Sequence, residues 1–488
     1  MNSNNKSPLQ KNQELEVEVV DLGINAEGIA KLDNFTIFIP FALPLERVRI
    51  KIIKLKKNYA IAKLLDILTP SPHRVEPSCP YFMKCGGCNL LHLEYSQQLI
   101  FKANLIKANL FKIAKLSTSS DTDSSISSVG SIEVLPTIGM ENPLFYRNKA
   151  SLPIRANISS TGYSTGFFKS RSHSIVEISN CLLHSNINDI VIALLKRFIH
   201  ISAISIFNEK DNSGILKHII TRLNHKNQLM IILVLNTNSN SNYMLENSKK
   251  FQDILADLIF NSHAIEVVSI IFNFNTLNNN VILGDKFISI YGADYIQDEI
   301  NGIAYNISPI SFFQVNRSQT AILYSIILDL LDTLNLNPNT SIVFDLYCGI
   351  GTITLAIASK VKFAYGVEVV NSAINSANQN AILNNISNVE FICGKSEDVI
   401  FSLIQNRSII PDLIILDPPR KGCDSELISS IICSQIKSII YVSCDNATFS
   451  RDLSILQEQG YELSYIQPLD MFPLTYHVEL IALIQKKI

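Results

Sequence analysis

The chain has 488 residues, 47% hydrophobic and 17% charged, with a formal net charge of −2. At roughly 150 residues per domain this length gives about three domains, and no apolar run reaches the roughly 18 residues of a membrane helix. The polar opening from Met1 to Gln13 lacks a secretory apolar stretch, so a cytoplasmic protein is expected. Its nine cysteines then serve metal binding, catalysis or packing rather than a disulfide framework. The near-neutral charge excludes a broadly basic coat, so any RNA contact must rest on local patches.

From Glu14 to Asp66 polar and apolar residues alternate, as in Glu16, Val17, Glu18, Val19 and in Val48, Arg49, Ile50, Lys51, Ile52. Breaks at Gly23, Gly28, Pro40 and Pro44 make this a small antiparallel β-barrel, placed at residues 12–70. Its later strands carry Arg47, Arg49, Lys51, Lys54, Lys56, Lys57 and Lys63 with almost no acid among them. Such a face is either solvated strand surface or a grip on a nucleic-acid backbone.

A proline-bearing linker from Pro70 to Pro80 leads to Cys79, Cys85 and Cys88, with Gly86 and Gly87 bending the chain between the last two. Thiols clustered in this way point to a metal centre. His92 as fourth ligand would make a Cys3His zinc site, and Cys181 a four-thiolate iron-sulfur cluster; spacing alone leaves both open. It does differ from the Cys-x3-Cys-x2-Cys run of radical methyl-donor enzymes. Lys115 to Ser131 and Asn236 to Asn247 are polar and aperiodic, which predicts loops, the first of them flexible. Pro143 to Pro309 reads as mostly β with some helix, and 71–310 is taken as a central domain.

After Ser311 apolar strands alternate with helical stretches, which predicts a parallel doubly wound sheet over 311–488 with its cofactor at the C-terminal strand edge. The strand Ser341 to Phe344 feeds Asp345, Leu346, Tyr347, Cys348, Gly349, Ile350, Gly351 and Thr352. Glycines there let a cofactor approach the backbone at a helix N-terminus. The next strand ends in Glu368, placed to accept from ribose hydroxyls. Ile353 and Thr354 stand where a dinucleotide fingerprint needs a third glycine, so S-adenosylmethionine suits the turn better than NAD. Glu397 or Asp398, beyond a third strand ending near Gly394, is a candidate adenine contact. A fourth strand, Leu413 to Leu416, closes with Asp417, Pro418, Pro419 and Arg420, a turn that recurs in methyltransferases acting on nucleobase or amide nitrogen.

The strand Ser438 to Ser443 delivers Cys444 to the same edge. A thiolate adding to carbon 6 of uracil makes carbon 5 nucleophilic enough to attack a methyl donor. Because a free thiol is only slightly ionised at neutral pH, nearby groups must favour the thiolate. A base must then remove the carbon-5 proton. Glu479, between Val478 and Leu480 in an apolar strand, is the candidate, since burial there raises its pKa towards neutrality. His477 is the rival. Cys423 is incidental, and Cys348, Cys393 and Cys433 read as packing.

These residues resemble the TRAM-containing RNA uracil-5-methyltransferases, specifically the bacterial 23S ribosomal RNA type with an iron-sulfur cluster, over Glu14 to Ile484. Glu27-Gly28-Ile29-Ala30, Ile37 to Pro40, Ala42-Leu43-Pro44 and Tyr59-Ala60 resemble a TRAM barrel, with Leu45 where that family often has Gly. The resemblance implies an α/β multidomain chain: a barrel, a β-rich central domain with the cluster, and a Rossmann-like class I methyltransferase domain. It implies a 4Fe-4S cluster on Cys79, Cys85, Cys88 and Cys181, the last in Ile178-Ser179-Asn180-Cys181, with His92 a neighbour. Gln314, in Ser311-Phe312-Phe313-Gln314-Val315-Asn316, is implied to contact S-adenosylmethionine, with Tyr347, Gly349, Glu368 and Asp417 lining the pocket, Cys444 as nucleophile and Glu479 as base. Arg147, Asn148, Lys149, Phe168 and His173 become candidates for an RNA surface. The expected product is 5-methyluridine in 23S ribosomal RNA, made by a monomer. Rivals are a transfer RNA enzyme, expected to share only the later domains, an enzyme of two ribosomal sites, and a non-catalytic RNA-binding or assembly protein.

Overall fold

A computed structural model describes residues 9–33, 35–117, 132–157, 162–185, 187–260 and 266–487. Most of the loop expected over Lys115 to Ser131 lies outside the described residues. Among them, no helix is long and apolar enough to cross a membrane.

The alternating N-terminal stretch forms β1 (Glu14–Glu18), β2 (Asp21–Leu22), β3 (Gly28–Leu32), β4 (Phe35–Ile39), β5 (Arg47–Leu55) and β6 (Tyr59–Thr69), in the order β1-β5-β6-β4-β3-β2. Val17, Ala30, Ile37, Val48, Ile50 and Ala60, from five of these strands, share one core, so the sheet curls on itself. The basic face differs from expectation. Arg47, Arg49 and Lys51 are paired with Glu16, Asp66 and Glu14 on the flanking strands. Acids distant in sequence become cross-strand neighbours, and exposed Lys54, Lys56, Lys57 and Lys63 are the cationic remainder. Buried Glu46 accepts from the Leu43 N–H at 2.8 Å and the Ser71 N–H at 3.3 Å and pairs with Arg74, fastening the barrel to the chain that follows.

Helix α1 (Tyr95–Lys112) crosses to the C-terminal part of the molecule. Its Lys102, fully buried, pairs with fully buried Asp470 and donates to the Phe472 carbonyl at 3.1 Å, while the Tyr95 hydroxyl donates to Asp470 at 2.8 Å. Lys102→Met leaves a buried carboxylate unpaired and is expected to lower stability by about 3 kcal/mol in urea unfolding.

The central sheet comprises β7 (Lys149–Ala156), β8 (Tyr163–Phe168), β9 (Ile175–Glu177), β10 (Leu216–Leu223), β11 (Gln228–Leu235), β12 (Glu266–Phe274) and β13 (Lys286–Gly292), in the order β13-β12-β11-β10-β7-β8-β9. Helices α2 (Ile187–Ser202) and α3 (Asn242–Phe260) share a core with one of its faces. Ile220, Met230, Ile232 and Ile271 on the other face join the core that runs into the C-terminal domain. Burial on both faces explains why β11 reads as the nearly unbroken apolar run QLMIILVL. The polar stretch Asn236 to Asn247 is only half loop. Ser241 Oγ accepts from the Met244 N–H at 3.3 Å and starts α3, a capping signal hidden by the polar composition.

A hairpin of β14 (Ile296–Ile300) and β15 (Ile303–Ile307) leads to α4 (Arg317–Thr333). The last sheet holds β16 (Ile342–Leu346), β17 (Phe363–Glu368), β18 (Val389–Cys393), β19 (Leu413–Leu416), β20 (Ser438–Ser443), β21 (Tyr461–Leu469) and β22 (Glu479–Lys486), ordered β18-β17-β16-β19-β20-β22-β21. The first five are parallel, as expected, and β22 and β21 are antiparallel additions at one edge. Helices α5 (Thr352–Ile357), α6 (Asn371–Leu383), α7 (Ser396–Phe401), α8 (Ser425–Cys433) and α9 (Asn446–Gln457) connect them. The C-terminal ends of β16, β17, β19 and β20 therefore share one edge with the start of β22.

Candidate active site

The turn after β16 has left-handed backbone at Gly349 (φ 55°) and Gly351 (φ 84°), and φ 133° at Tyr347. A Cβ at Gly349 would meet nothing within 4 Å, whereas one at Gly351 would press on Phe391 at 2.8 Å. Gly349 thus borders open space, as a backbone that receives a cofactor must, and Gly351 permits packing. Glu368 closes β17 and accepts from the Val370 N–H at 2.9 Å. Gln314 lies on the strap before α4, where the Asn148 side chain donates to its carbonyl at 2.9 Å and the Asn148 N–H to the Val315 carbonyl at 2.9 Å. Fully buried Arg222 donates to the Pro309 carbonyl at 3.2 Å and to that of Ser311. Asn148 therefore braces the strap that carries Gln314, and half-buried Lys149 is pushed down to about 8 by burial and Arg222. Both are half-buried, whereas His173 is exposed, stacks on Phe168 and pairs with Glu209.

Three carboxyls converge, Asp345 and Glu479 buried and Asp417 half-buried. Burial raises Asp345 at the end of β16 to about 6, Asp417 after β19 to about 7 and Glu479 at the start of β22 to about 8, and the charges of Asp345 on Asp417 and of Asp417 on Glu479 add to it. Asp345 Oδ1 and Glu479 Oε2 have no hydrogen-bond partner among the described residues. The site thus holds unpartnered carboxyl oxygens that suit a cationic ligand. S-adenosylmethionine, with a sulfonium and an α-ammonium, fits such a donor set. Sequence reasoning missed Tyr324 of α4, a buried phenol within electrostatic reach of all three carboxyls. Nothing marks it among the apolar residues of that helix.

Cys444 follows β20, and Ser443 pairs with Leu480 on β22. One step further along the two antiparallel strands stand Cys444 and Glu479, so the register brings both to the same end of the sheet, with Glu479 in electrostatic reach of the thiol. Asp445 caps α9, accepting from the Ala447 and Thr448 N–H groups at 3.0 Å each. Cys444 opens into a pocket of about 280 Å³ shared with Arg420, Tyr476 and His477. Burial, then Glu479 and Asp417, push its thiol up to about 11, with Arg420 pulling it back. The expected activation is thus absent from the protein alone, because the carboxyls that suit a cationic ligand also repel a thiolate. His477 falls to about 4 through burial and nearby Arg420. That makes it a poor proton acceptor beside Glu479. Cys348 and Cys423 are packed, but Cys393 and Cys433 are exposed, so packing does not account for those two.

Cys79, Cys85, Cys88 and Cys181 line one cavity of about 110 Å³, with Arg147 and His184. His92 is absent from that lining; it is fully buried against Phe41 and Phe82. The Cys3His zinc alternative therefore loses its fourth ligand. Among the described residues no three side chains close around a single ion. A 4Fe-4S cluster would be held by four cysteine thiolates, and four free thiols around a cavity fit that donor set. Burial and the neighbouring thiols push Cys88 up to about 12, so without metal the thiol stays protonated.

The TRAM domain family matches residues 8–65, and the tRNA (Uracil-5-)-methyltransferase family matches residues 286–487. An uncharacterized RNA methyltransferase of Clostridium acetobutylicum is 43% identical over 480 residues, covering 98% of each chain. One of Listeria innocua is 40% identical over 482 residues, covering 99% of each. Among solved structures, the Pyrococcus abyssi tRNA (uracil-54, C5)-methyltransferase in complex with S-adenosyl-L-homocysteine is similar with a TM-score of 0.72 and 25% identity, over 96% of this chain and 99% of that one. That match is too long to leave out the barrel, so the expectation that transfer RNA enzymes share only the later domains does not hold.

Proposed function

The chain belongs to the TRAM-containing RNA (uracil-5-)-methyltransferase family, and from that premise we propose that it methylates carbon 5 of a uridine in 23S ribosomal RNA, in the cytoplasm, with S-adenosylmethionine as donor. The observation that carries this reading is the register that brings Cys444 and Glu479 to the same end of the sheet, with Asp417 near both. S-adenosylmethionine, when bound, supplies an electrophilic methyl. The Cys444 thiol loses its proton to solvent and adds as thiolate to carbon 6, and the carbon 5–carbon 6 electron pair moves into an enolate that makes carbon 5 nucleophilic. Once carbon 5 carries the methyl, Glu479 accepts its proton, the double bond re-forms, and sulfur leaves as thiolate. Gln314, Tyr347, Gly349, Glu368 and Asp417 line the donor's site in this reading.

Cys79, Cys85, Cys88 and Cys181 are proposed to hold a 4Fe-4S cluster that stabilises the central domain. Anaerobically purified protein is then expected to be brown with about four irons per chain, and Cys181→Ser to lose both colour and thermal stability. A colourless zinc protein would remove the cluster.

The ribosomal substrate is supported by the resemblance that pairs a TRAM barrel with this cysteine pattern. A second reading, a transfer RNA uridine, is favoured by the likeness to the Pyrococcus abyssi enzyme. Unmodified 23S ribosomal RNA and transfer RNA, each tritiated at uracil carbon 5, separate the two. The proposal expects donor-dependent tritium release from the ribosomal RNA; release only from transfer RNA selects the second reading, and release from neither overturns both.

A further inference from the structure

The pocket that contains Cys444 is not built by the methyltransferase domain alone. Its other walls are Ile24 and Asn25 of the barrel and Leu105 and Asn109 of α1, together with Arg420, Asn446, Tyr476 and His477. We propose that this pocket seats, beside the target uracil, the unpaired nucleotide adjacent to it in the same RNA strand, and that the barrel turn Gly23–Glu27 is a specificity-determining wall, with Ile24 against that neighbouring base. The proposal rests on the RNA uracil-methyltransferase reading above.

The turn is pre-shaped. The Gly23 N–H donates to the Glu27 carbonyl at 2.7 Å, the Ala26 N–H to the Gly23 carbonyl at 2.9 Å, and the Asn25 side chain to Glu27 at 3.1 Å. It is also bolted down. Ala26 is buried with Leu43, Leu90, Leu93 and Phe101, in a cluster that Leu105 and Tyr476 complete. An element that only gathered RNA could work from a flexible tether, whereas one that shapes a reaction pocket must be held to a fraction of an ångström. The barrel has the second kind of attachment, and its Arg47, Arg49 and Lys51 are already neutralised by neighbours.

The chemistry of the walls suits a base. Ile24, at the tip of this braced turn, is 69% exposed, an apolar surface that a base face covers favourably. In the same lining the Tyr476 and His477 rings lie 4.3 Å apart between centroids at 41°. With His477 at about 4, that ring is neutral at physiological pH, so it offers a stacking surface. The Asn109 side chain donates to that of Asn446, which leaves one amide oxygen and one amide N–H2 on the wall. The Watson–Crick edge of an unpaired base carries both a donor and an acceptor, in an order that differs among the four bases, so such a pair can prefer one of them. Arg420 supplies the cation for a phosphate.

The test uses the full-length protein and an RNA fragment that it methylates, with an abasic residue placed on the 5′ or the 3′ side of the target uridine. One of the two is expected to lower kcat/KM about tenfold, the scale of a lost base stack. Ile24→Asp, exposed and so without effect on thermal stability, is expected to lower kcat/KM on the intact RNA by a similar factor and to add little on the abasic RNA. Asn109→Ala is expected to flatten the preference among the four bases at that position. Full rates on both abasic RNAs, or losses from Ile24→Asp and the abasic site that simply multiply, would overturn this inference while leaving the methyltransferase reading intact. Failure of wild-type protein to methylate any RNA would overturn that reading first.

Discussion

Cys444→Ala is expected to abolish methyl transfer and tritium release together, by at least about 10⁴-fold, while donor binding measured by calorimetry stays close to wild type. The two signals vanish jointly because both follow the addition of sulfur to carbon 6; without that covalent bond carbon 5 of uracil is not nucleophilic. Preserved donor binding follows from the position of Cys444, whose thiol opens on the pocket it shares with Tyr476 and His477 and not on the glycine turn after β16. Methylation that survives the substitution would remove the nucleophile and with it the mechanism. Cys423→Ala is the control, since that thiol is packed against Tyr441 and is expected to leave turnover largely intact.

Glu479→Gln is expected to separate the steps that Cys444→Ala stops together. Sulfur addition and methyl transfer need no base, so the variant should methylate once and then hold the RNA as an adduct that survives denaturing electrophoresis. Multiple turnover should fall by about 10³-fold, within the range of a lost general base. The same residue has a pH signature. Its folded pKa of about 8 lies above the ordinary value of 4.5, so the ligand-free fold binds this proton more tightly than the unfolded chain does. The stability that this proton contributes is complete below about pH 4.5 and is lost as pH rises through about 8. Glutamine cannot ionise, so Glu479→Gln is expected to stabilise the ligand-free protein by on the order of 5 kcal/mol at pH 9 and to leave it unchanged at pH 4. A wild-type enzyme and variant with parallel stability profiles would show that Glu479 is not the buried proton acceptor. Catalysis has the opposite sign, because the base must be ionised, and kcat/KM is expected to rise towards pH 8.

Much of this was legible in the chain. Period-two alternation specified the barrel, because side chains on a strand point to opposite faces and only one face of this sheet is buried. Apolar runs ending in Asp345, Glu368, Asp417 and Cys444 specified strands that deliver polar groups to one edge, since parallel strands enclosed by helices are buried along their length. The apolar flanks of Glu479 announced a buried carboxyl. The pairing of Arg47, Arg49 and Lys51 was not legible, because the acids of β1 and β6 approach them only once the sheet forms.

The linear chain determined by itself the element types, the chemical groups and their order, because these follow from local periodicity and from which side chains can act as nucleophile, base or metal ligand. Tertiary structure alone decided which of them meet. It brought Glu479 within electrostatic reach of Cys444 at the β20–β22 edge, turned His92 away from the thiol cavity, set Tyr324 near the three carboxyls, made Asn148 a brace for Gln314, and brought Ile24 of the barrel into the pocket that Cys444 lines. The physical reason is that each of these contacts joins residues far apart along the backbone, held together by burial of apolar surface shared among all three parts of the molecule, and no local pattern encodes such a meeting.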